Sequence, residues 1–335
     1  MAKIIKLADG SDFELDAAIV AIQDSEVVTL SDDDAVFFQR QLEYIEAQTY
    51  DTLYPDLEAR DAFGVDTTGG PGVTTLTYRS YNHAGKAKVI NARATDLPKP
   101  NISGKEYSLP VKSVGTSYDY DIDEVAAAAV TGLPLETRKA MAATRGYEQY
   151  INSAAWYGDA EGGFVGLFQN EEVTKADVAA GTSGKTTWVD KTPTEVLKDL
   201  TSAVTAMYAS TLKIMRPEEI WLPVLQHQYI MNTARSDQSD KTIMQYFVEN
   251  NEFINSRDKI KALNAIAGQG KGGSDCFIVV CRSVNGLKTF RLREPLPLTW
   301  QPVQLHGLVY EIPGRGRFAG LQVMYPAAIS INSGI

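Results

Sequence analysis

Residues 134–166, PLETRKAMAATRGYEQYINSAAWYGDAEGGFVG, decide how the rest of the chain is read. The segment 134–157 predicts one uninterrupted helix. Pro134 suits a first helical position, where its missing N–H costs nothing and its φ is already helical. Leu135, Glu136, Arg138, Lys139 and Met141 are strong helix formers. Ala140, Ala143, Tyr147, Tyr150, Ile151, Ala154 and Tyr157 recur every three or four positions, which gives one apolar face. At 1.5 Å per residue such a helix spans roughly 36 Å, enough to cross a domain. Gly158, Gly162, Gly163 and Gly166 then end it in a tight reversal. Read alone, the segment is a long core helix of an α+β domain, and its flanks give it a more specific setting.

Immediately upstream, VTTLTYRSYN, KVINARA, KEYSLPVKSV and TSYDYDID are rich in β-branched and aromatic residues with repeated alternation. They predict a long two-stranded hairpin whose tip, carrying Pro98, Pro100 and Gly104, spans 95–104. A short alanine-rich helix over Asp123–Gly132 leads into Pro134. Nearer the N-terminus, residues 3–15 read as a hairpin around Asp9-Gly10. Ser31, followed by Asp32, Asp33 and Asp34, opens a helix that ends before Pro55. Downstream, 171–190 reads as loop and Thr192-Pro193 opens a helix. EEIWLP is a short buried strand, followed by helices over 224–233 and within 242–267. CFIVVC is a central strand, and Asn285-Gly286 turns a hairpin before PLPLTW. The C-terminal stretch predicts two long strands joined at Pro313-Gly314.

Composition bounds the function. With 335 residues, 44% hydrophobic and 22% charged, the chain has the make-up of a globular protein able to bury a sizeable core. Near the N-terminus the longest apolar run is Ala17–Ile22, far short of a membrane span, and no secretory signal pattern opens the chain. Cys276 and Cys281 lie on opposite faces of their strand, so they are expected as buried structural thiols in a reducing compartment. The net charge of −10 argues against tight nucleic-acid binding by the whole surface. Its distribution says more. Residues 1–66 carry sixteen acids against four bases, while 79–112 carry seven bases against Asp96 and Glu106. An acidic arm followed by a basic ribbon suits head-to-tail contact between copies. The contact candidates are Arg79, Lys86, Lys88, Arg93, Lys99 and Lys105 on the basic side and Asp32, Asp33 and Asp34 on the acidic side.

Motifs that carry chemistry fail on context. Gly268-Gln-Gly270-Lys-Gly272-Gly273 follows a helical segment and precedes a strand, the reverse of a dinucleotide turn. GTSGKT at 181–186 has Ala179 where a phosphate loop needs its first glycine. Asp119, Asp121 and Asp123 begin like a calcium loop, but Glu124 and Val130 replace the glycine and the bidentate glutamate. His83, His227 and His306 are scattered. No catalytic residue, metal or cofactor is assigned.

The order of parts resembles the major capsid proteins of tailed bacteriophages with the Hong Kong 97-type fold. The resemblance covers about residues 35–335. Its most characteristic residues are Ala94-Thr95-Asp96-Leu97-Pro98, the run YDYDIDEVAAA, and Gly166-Leu167-Phe168 before Asn170. It implies an N-terminal arm at 1–72, an extended loop at 73–121, a peripheral domain at 122–166 and 294–335 holding the spine helix 134–157, and an axial domain at 167–293. It further implies self-assembly into pentamers and hexamers of an icosahedral shell around double-stranded DNA, in a virion assembled in the host bacterial cytoplasm. Scaffold, portal and decoration proteins are the further partners implied, with no membrane and no enzymatic turnover. The arm before the first strong helix is only about thirty residues, so it is expected to be kept, with any scaffold a separate chain. No loop lysine is singled out for crosslinking. The alternatives are an encapsulin-type nanocompartment shell, which cargo-enzyme genes would mark, and an α+β enzyme, which a deep pocket near His227 or the aspartate run would favour.

Overall fold

A computed structural model describes residues 4–6, 12–14, 54–84, 88–89, 99, 101–131, 135–236 and 238–335. The chain divides into two units, 1–55 and 56–335. In the first, β1 (Ile4–Lys6) and β2 (Asp12–Glu14) pair antiparallel, and the expected turn residues Asp9 and Gly10 lie outside the described residues. Asp32, Asp33, Asp34 and the helix expected after them lie outside the described residues.

The second unit mixes helices and strands, the α+β class expected. It runs α1 (Ala59–Phe63), β3 (Val65–Asp66), β4 (Thr75–Ala84), β5 (Asn101–Pro110), β6 (Lys112–Asp121), α2 (Ile122–Thr131) and α3 (Leu135–Tyr157). There follow β7 (Thr174–Asp177), α4 (Pro193–Ser210), β8 (Glu219–Leu222), α5 (Val224–Asn232), α6 (Ile243–Asn250), β9 (Ile260–Ala262) and β10 (Cys276–Val280). The chain closes with β11 (Ser283–Val284), β12 (Leu287–Lys288), β13 (Phe290–Arg293), β14 (Leu296–Trp300), β15 (Gln304–His306), β16 (Val309–Phe318), β17 (Gly320–Val323) and β18 (Ile329–Ser333).

A five-stranded sheet in the order β7-β18-β10-β8-β9 has β10 at its centre. Strand alternation makes β10 the wall between two cores. Cys276, Ile278 and Val280 join the core under the C-terminal half of α3, with Tyr147, Ile151, Trp156 and Trp221. Phe277, Val279 and Cys281 face a second core built from α4 and α6 with Trp188. The two thiols are therefore buried on opposite faces, as the sequence spacing implied, and burial pushes Cys276 up to about 12. α4 starts with a capping box in which Thr192 and Glu195 satisfy each other's backbone N–H groups. Hydrogen bonds from Thr182 and the Thr192 backbone hold Glu195 down to about 2.

α3 ends as the glycines required. Gly158 takes φ +76°, and its N–H still reaches Ala154 O at 3.1 Å. The chain then folds back so that Leu167 N and Phe168 N donate to Ala155 O and Trp156 O, at 3.0 and 3.1 Å. Carbonyls that a helix end leaves unpaired are satisfied by the following turn. A Cβ at Gly166 would lie 2.2 Å from Gly158 N, so this crossing needs glycine.

Five expectations change. Pro313-Gly314 is no turn, because β16 runs straight through it and pairs β6 over ten residues, Val309↔Asp121 to Phe318↔Lys112. Pro313 O accepts from Gln301 N at 2.9 Å, on the side where β14 gives way to β15. In a strand a residue's N and O point the same way, so the missing proline donor falls at that break. Gly314 and Gly316 serve close approach. Cβ atoms there would meet the Trp300 ring at 2.6 Å and the Tyr147 hydroxyl at 2.1 Å. β6 thus belongs to the β14-β16-β15 ladder and not to the hairpin.

The hairpin itself is β4 with β5, paired from Thr75↔Pro110 to Ala84↔Asn101, so residues 101–104 of the expected tip are strand. The stretch beyond Phe318, expected to continue one long strand, is divided into β17 and β18, and β18 is inserted between β7 and β10 in the five-stranded sheet. Residues 56–72, read as arm, are integral to the second unit. Phe63 is 2% exposed and packs tilted against the Trp156 ring at 4.6 Å and edge-on to the Trp221 ring at 5.8 Å. Burial of a side chain this size contributes about 1.5–3 kcal/mol.

Candidate assembly surface

The ribbon grows from a base held by arginines. Arg293 Nη1 pairs with Asp66 Oδ2 at 2.5 Å, and Arg291 pairs with the same carboxylate. Burial pushes the Asp66 carboxyl up, but hydrogen bonds from Thr68 and the charges of Arg293 and Arg291 outweigh it and hold it below its ordinary value. Arg317 on β16 donates to Pro71 O. Nearby, Arg60 bridges Glu148 of α3 at 2.5 Å and the fully buried Glu294 at 2.6 Å, while Tyr147 OH donates to Glu294 at 2.9 Å. Burial and the neighbouring Glu294 push the Tyr147 phenol up. This network ties α1, α3 and the chain after β13 together.

Beyond that base the ribbon is uncovered. Leu76, Tyr78, Tyr107 and Leu109 are half-buried on one face, with the Tyr78 and Tyr107 rings stacked at 5.0 Å. Further out both faces are exposed, with Ser80 and Asn82 on one and Tyr81 (59%) and Ile102 (62%) on the other. Tyr81 lies over Gly104, whose Cβ would meet its ring at 3.2 Å. Arg79 is exposed and pairs with Glu106 at 3.4 Å across the ribbon. Lys105 sits 4.6 Å from the Tyr107 ring. Lys88 and Lys99 are exposed in the connection, while Lys86 and Arg93 lie outside the described residues. The described basic candidates are thus brought to one projecting ribbon and its connection.

A second exposed surface carries the opposite charge. On β6, Asp119 and Asp121 point to the exposed face, and Asp121 Oδ1 caps α2 by accepting from Glu124 N at 2.6 Å. Asp123 is exposed in the first turn of α2. Lys139 of α3 donates to Asp119 O at 2.8 Å and pairs with Glu124 at 2.7 Å, holding the strand end against the helix. α2 itself exposes Ile122, Val125 and Val130, the last at 88%. The sequence assigns these aspartates no contact, because the exposure of α2 depends on tertiary placement.

The 268–273 glycines form a turn in which Gly268 N donates to Asp275 Oδ1 at 2.8 Å, and Lys271 pairs with Asp177 at 2.7 Å. In the 181–186 loop Gly181 N donates to Lys185 O at 2.8 Å. Among the described residues no three His, Cys, Asp or Glu side chains are placed to share an ion, and no described helix is long and apolar enough to cross a membrane. Two open hollows, one beside the 268–273 turn and one between the ribbon and β11–β12, are lined by neither His227 nor the β6 aspartates. Burial lowers the pKa of His227.

A family model described as major capsid protein matches residues 85–335. Comparison with curated protein sequences finds no match. Among solved structures, the capsid of Myoviridae phage XM1 superposes with a TM-score of 0.73 at 16% identity, covering 90% of this chain and 99% of that one. The capsid of the native GTA particle is similar with a TM-score of 0.56 at 11% identity, covering 91% and 99%. A chain from Mycobacterium phage Bobi gives 0.55 at 13% identity, covering 87% and 94%. At these identities the likeness is one of fold.

Proposed function

Because the chain belongs to the major capsid protein family, we propose that it is the subunit of an icosahedral virion shell, assembled as pentamers and hexamers around double-stranded DNA. The observation that carries this reading is the β4–β5 ribbon. It pairs ten residues on each strand yet is exposed on both faces beyond Tyr78 and Tyr107. A two-stranded ribbon is marginal in water, so it needs a covering surface that the described residues of its own chain do not supply. In this reading the ribbon is the extended loop, α3 with the β6-β16 ladder is the peripheral part, and the five-stranded sheet with α4–α6 is the axial part. The net charge of −10 fits a container that encloses DNA without gripping it. Assembly in the host bacterial cytoplasm, with separate scaffold, portal and decoration proteins, belongs to the same reading, and no catalytic turnover is assigned.

The test is the assembly state of the purified, concentrated protein by sedimentation and negative-stain imaging. Closed shells with five- and six-fold capsomers are expected. A compact monomer at every concentration overturns the reading.

A further inference from the structure

We propose that the hollow between β4 and β12 is a slot for an extended acidic segment of another protein, held there as an added strand. The inference is independent of the capsid reading. The hollow has a volume of about 540 Å³. One wall is four successive residues of β4, 78–81, and the facing wall is 286–288, the turn into β12 and β12 itself. Among the described residues none of β5 or β11 lines it, so it lies on the side of each strand away from its partner. Within the described residues β4 pairs only with β5 and β12 only with β11. The backbone donors and acceptors of both facing edges therefore have no ladder partner there.

Charge explains why the two edges stand apart. Each carries an exposed cation, Arg79 on β4 and Lys288 on β12, and Arg291 adds a third beside them. Like charges on facing edges oppose direct pairing, and a cation on an edge admits a strand of the opposite sign. No acid lines the hollow. Arg79 already pairs with Glu106 and Arg291 with Asp66, whereas Lys288 has no ion-pair partner among the described residues. The walls also set an alternation. Arg79 and Tyr81 face one way along β4, and Tyr78 and Ser80 the other. The Tyr78 hydroxyl donates to Val323 O at 3.4 Å, so its side is the one toward the body, where Met324 lines the hollow. A strand laid along 78–81 would span about 13 Å at 3.3 Å per residue, with acids turned to Arg79 and apolar side chains to Tyr78 and Met324. Main-chain bonds to the edges supply affinity in such strand addition, and the alternate side chains supply selectivity.

The probe is a labelled synthetic peptide of alternating glutamate and valine, with binding to the full chain read by fluorescence anisotropy. Saturable binding is expected. N-methylation of alternate residues removes backbone donors but no charge, and it weakens binding by about tenfold or more. Arg79→Glu with Lys288→Glu changes two exposed positions, so Tm stays near that of the natural chain while binding falls by a similar factor. That variant takes the lysine–valine counterpart of the peptide instead. Equal binding of the N-methylated peptide would mean adsorption by charge alone, and overturns the proposal. Full binding by the double variant puts the peptide elsewhere and overturns it too. Absence of saturable binding does the same, because the slot is then filled by this chain itself or by a second copy. None of these results touches the capsid reading, whose own test is the assembly state.

Discussion

Gly316 carries no side chain because Tyr147 occupies the space one would need, and Tyr147 is held there by its hydrogen bond to the buried Glu294. Gly316→Ala is therefore expected to cost about 1–3 kcal/mol by overpacking, lowering Tm by several degrees in thermal unfolding. An unchanged Tm would show that the helix can lift off the strand. Asp66 gives the pH dependence. Its folded pKa lies below the ordinary 3.8. Its contribution is thus fully present above that value and is lost as the pH falls through the depressed one. Asp66→Asn cannot titrate. Denaturant unfolding should find the variant less stable at neutral pH but losing less stability than the natural chain as the pH falls below about 4. Parallel loss in both would remove Asp66 as the cause.

At the scale of elements, the legible parts were those whose signal is local. α3 follows from its apolar periodicity, α4 from periodicity with a capping box, and β10 from a short apolar run in which alternate residues face two cores. The Asn285-Gly286 turn is as read, with both residues at positive φ. What escaped depends on distant partners. Pro313 and Gly314 look like a turn in sequence because the residues that explain them, Gln301, Trp300 and Tyr147 above Gly316, lie elsewhere in the chain. β7 and β9 are four- and three-residue strands that pair in parallel with β18 and β8, too short to show a period. Of the candidate site, the basic ribbon was legible from charge alone, whereas the apolar exposure of α2 was not. Reversing Lys86, Lys88 and Arg93 together to glutamate is expected to leave Tm near that of the natural chain while cutting shell yield. Normal shells from that triple variant would count against a contact through this segment.

For the whole molecule, the two cores meet back to back on β10, while the ribbon stands outside both. Its two legs nevertheless return to one place. β5 is separated from β6 by Val111 alone, and β6 is laced to β16 along ten residue pairs. The other leg, before β4, is tethered to β16 by Arg317 on Pro71 O. β16 in turn lies directly beneath α3 at Gly316. A pull on the ribbon therefore reaches the body as tension on a single strand fastened along its full length. That load is spread over a whole ladder and passed to the longest helix, instead of falling on one turn that could peel.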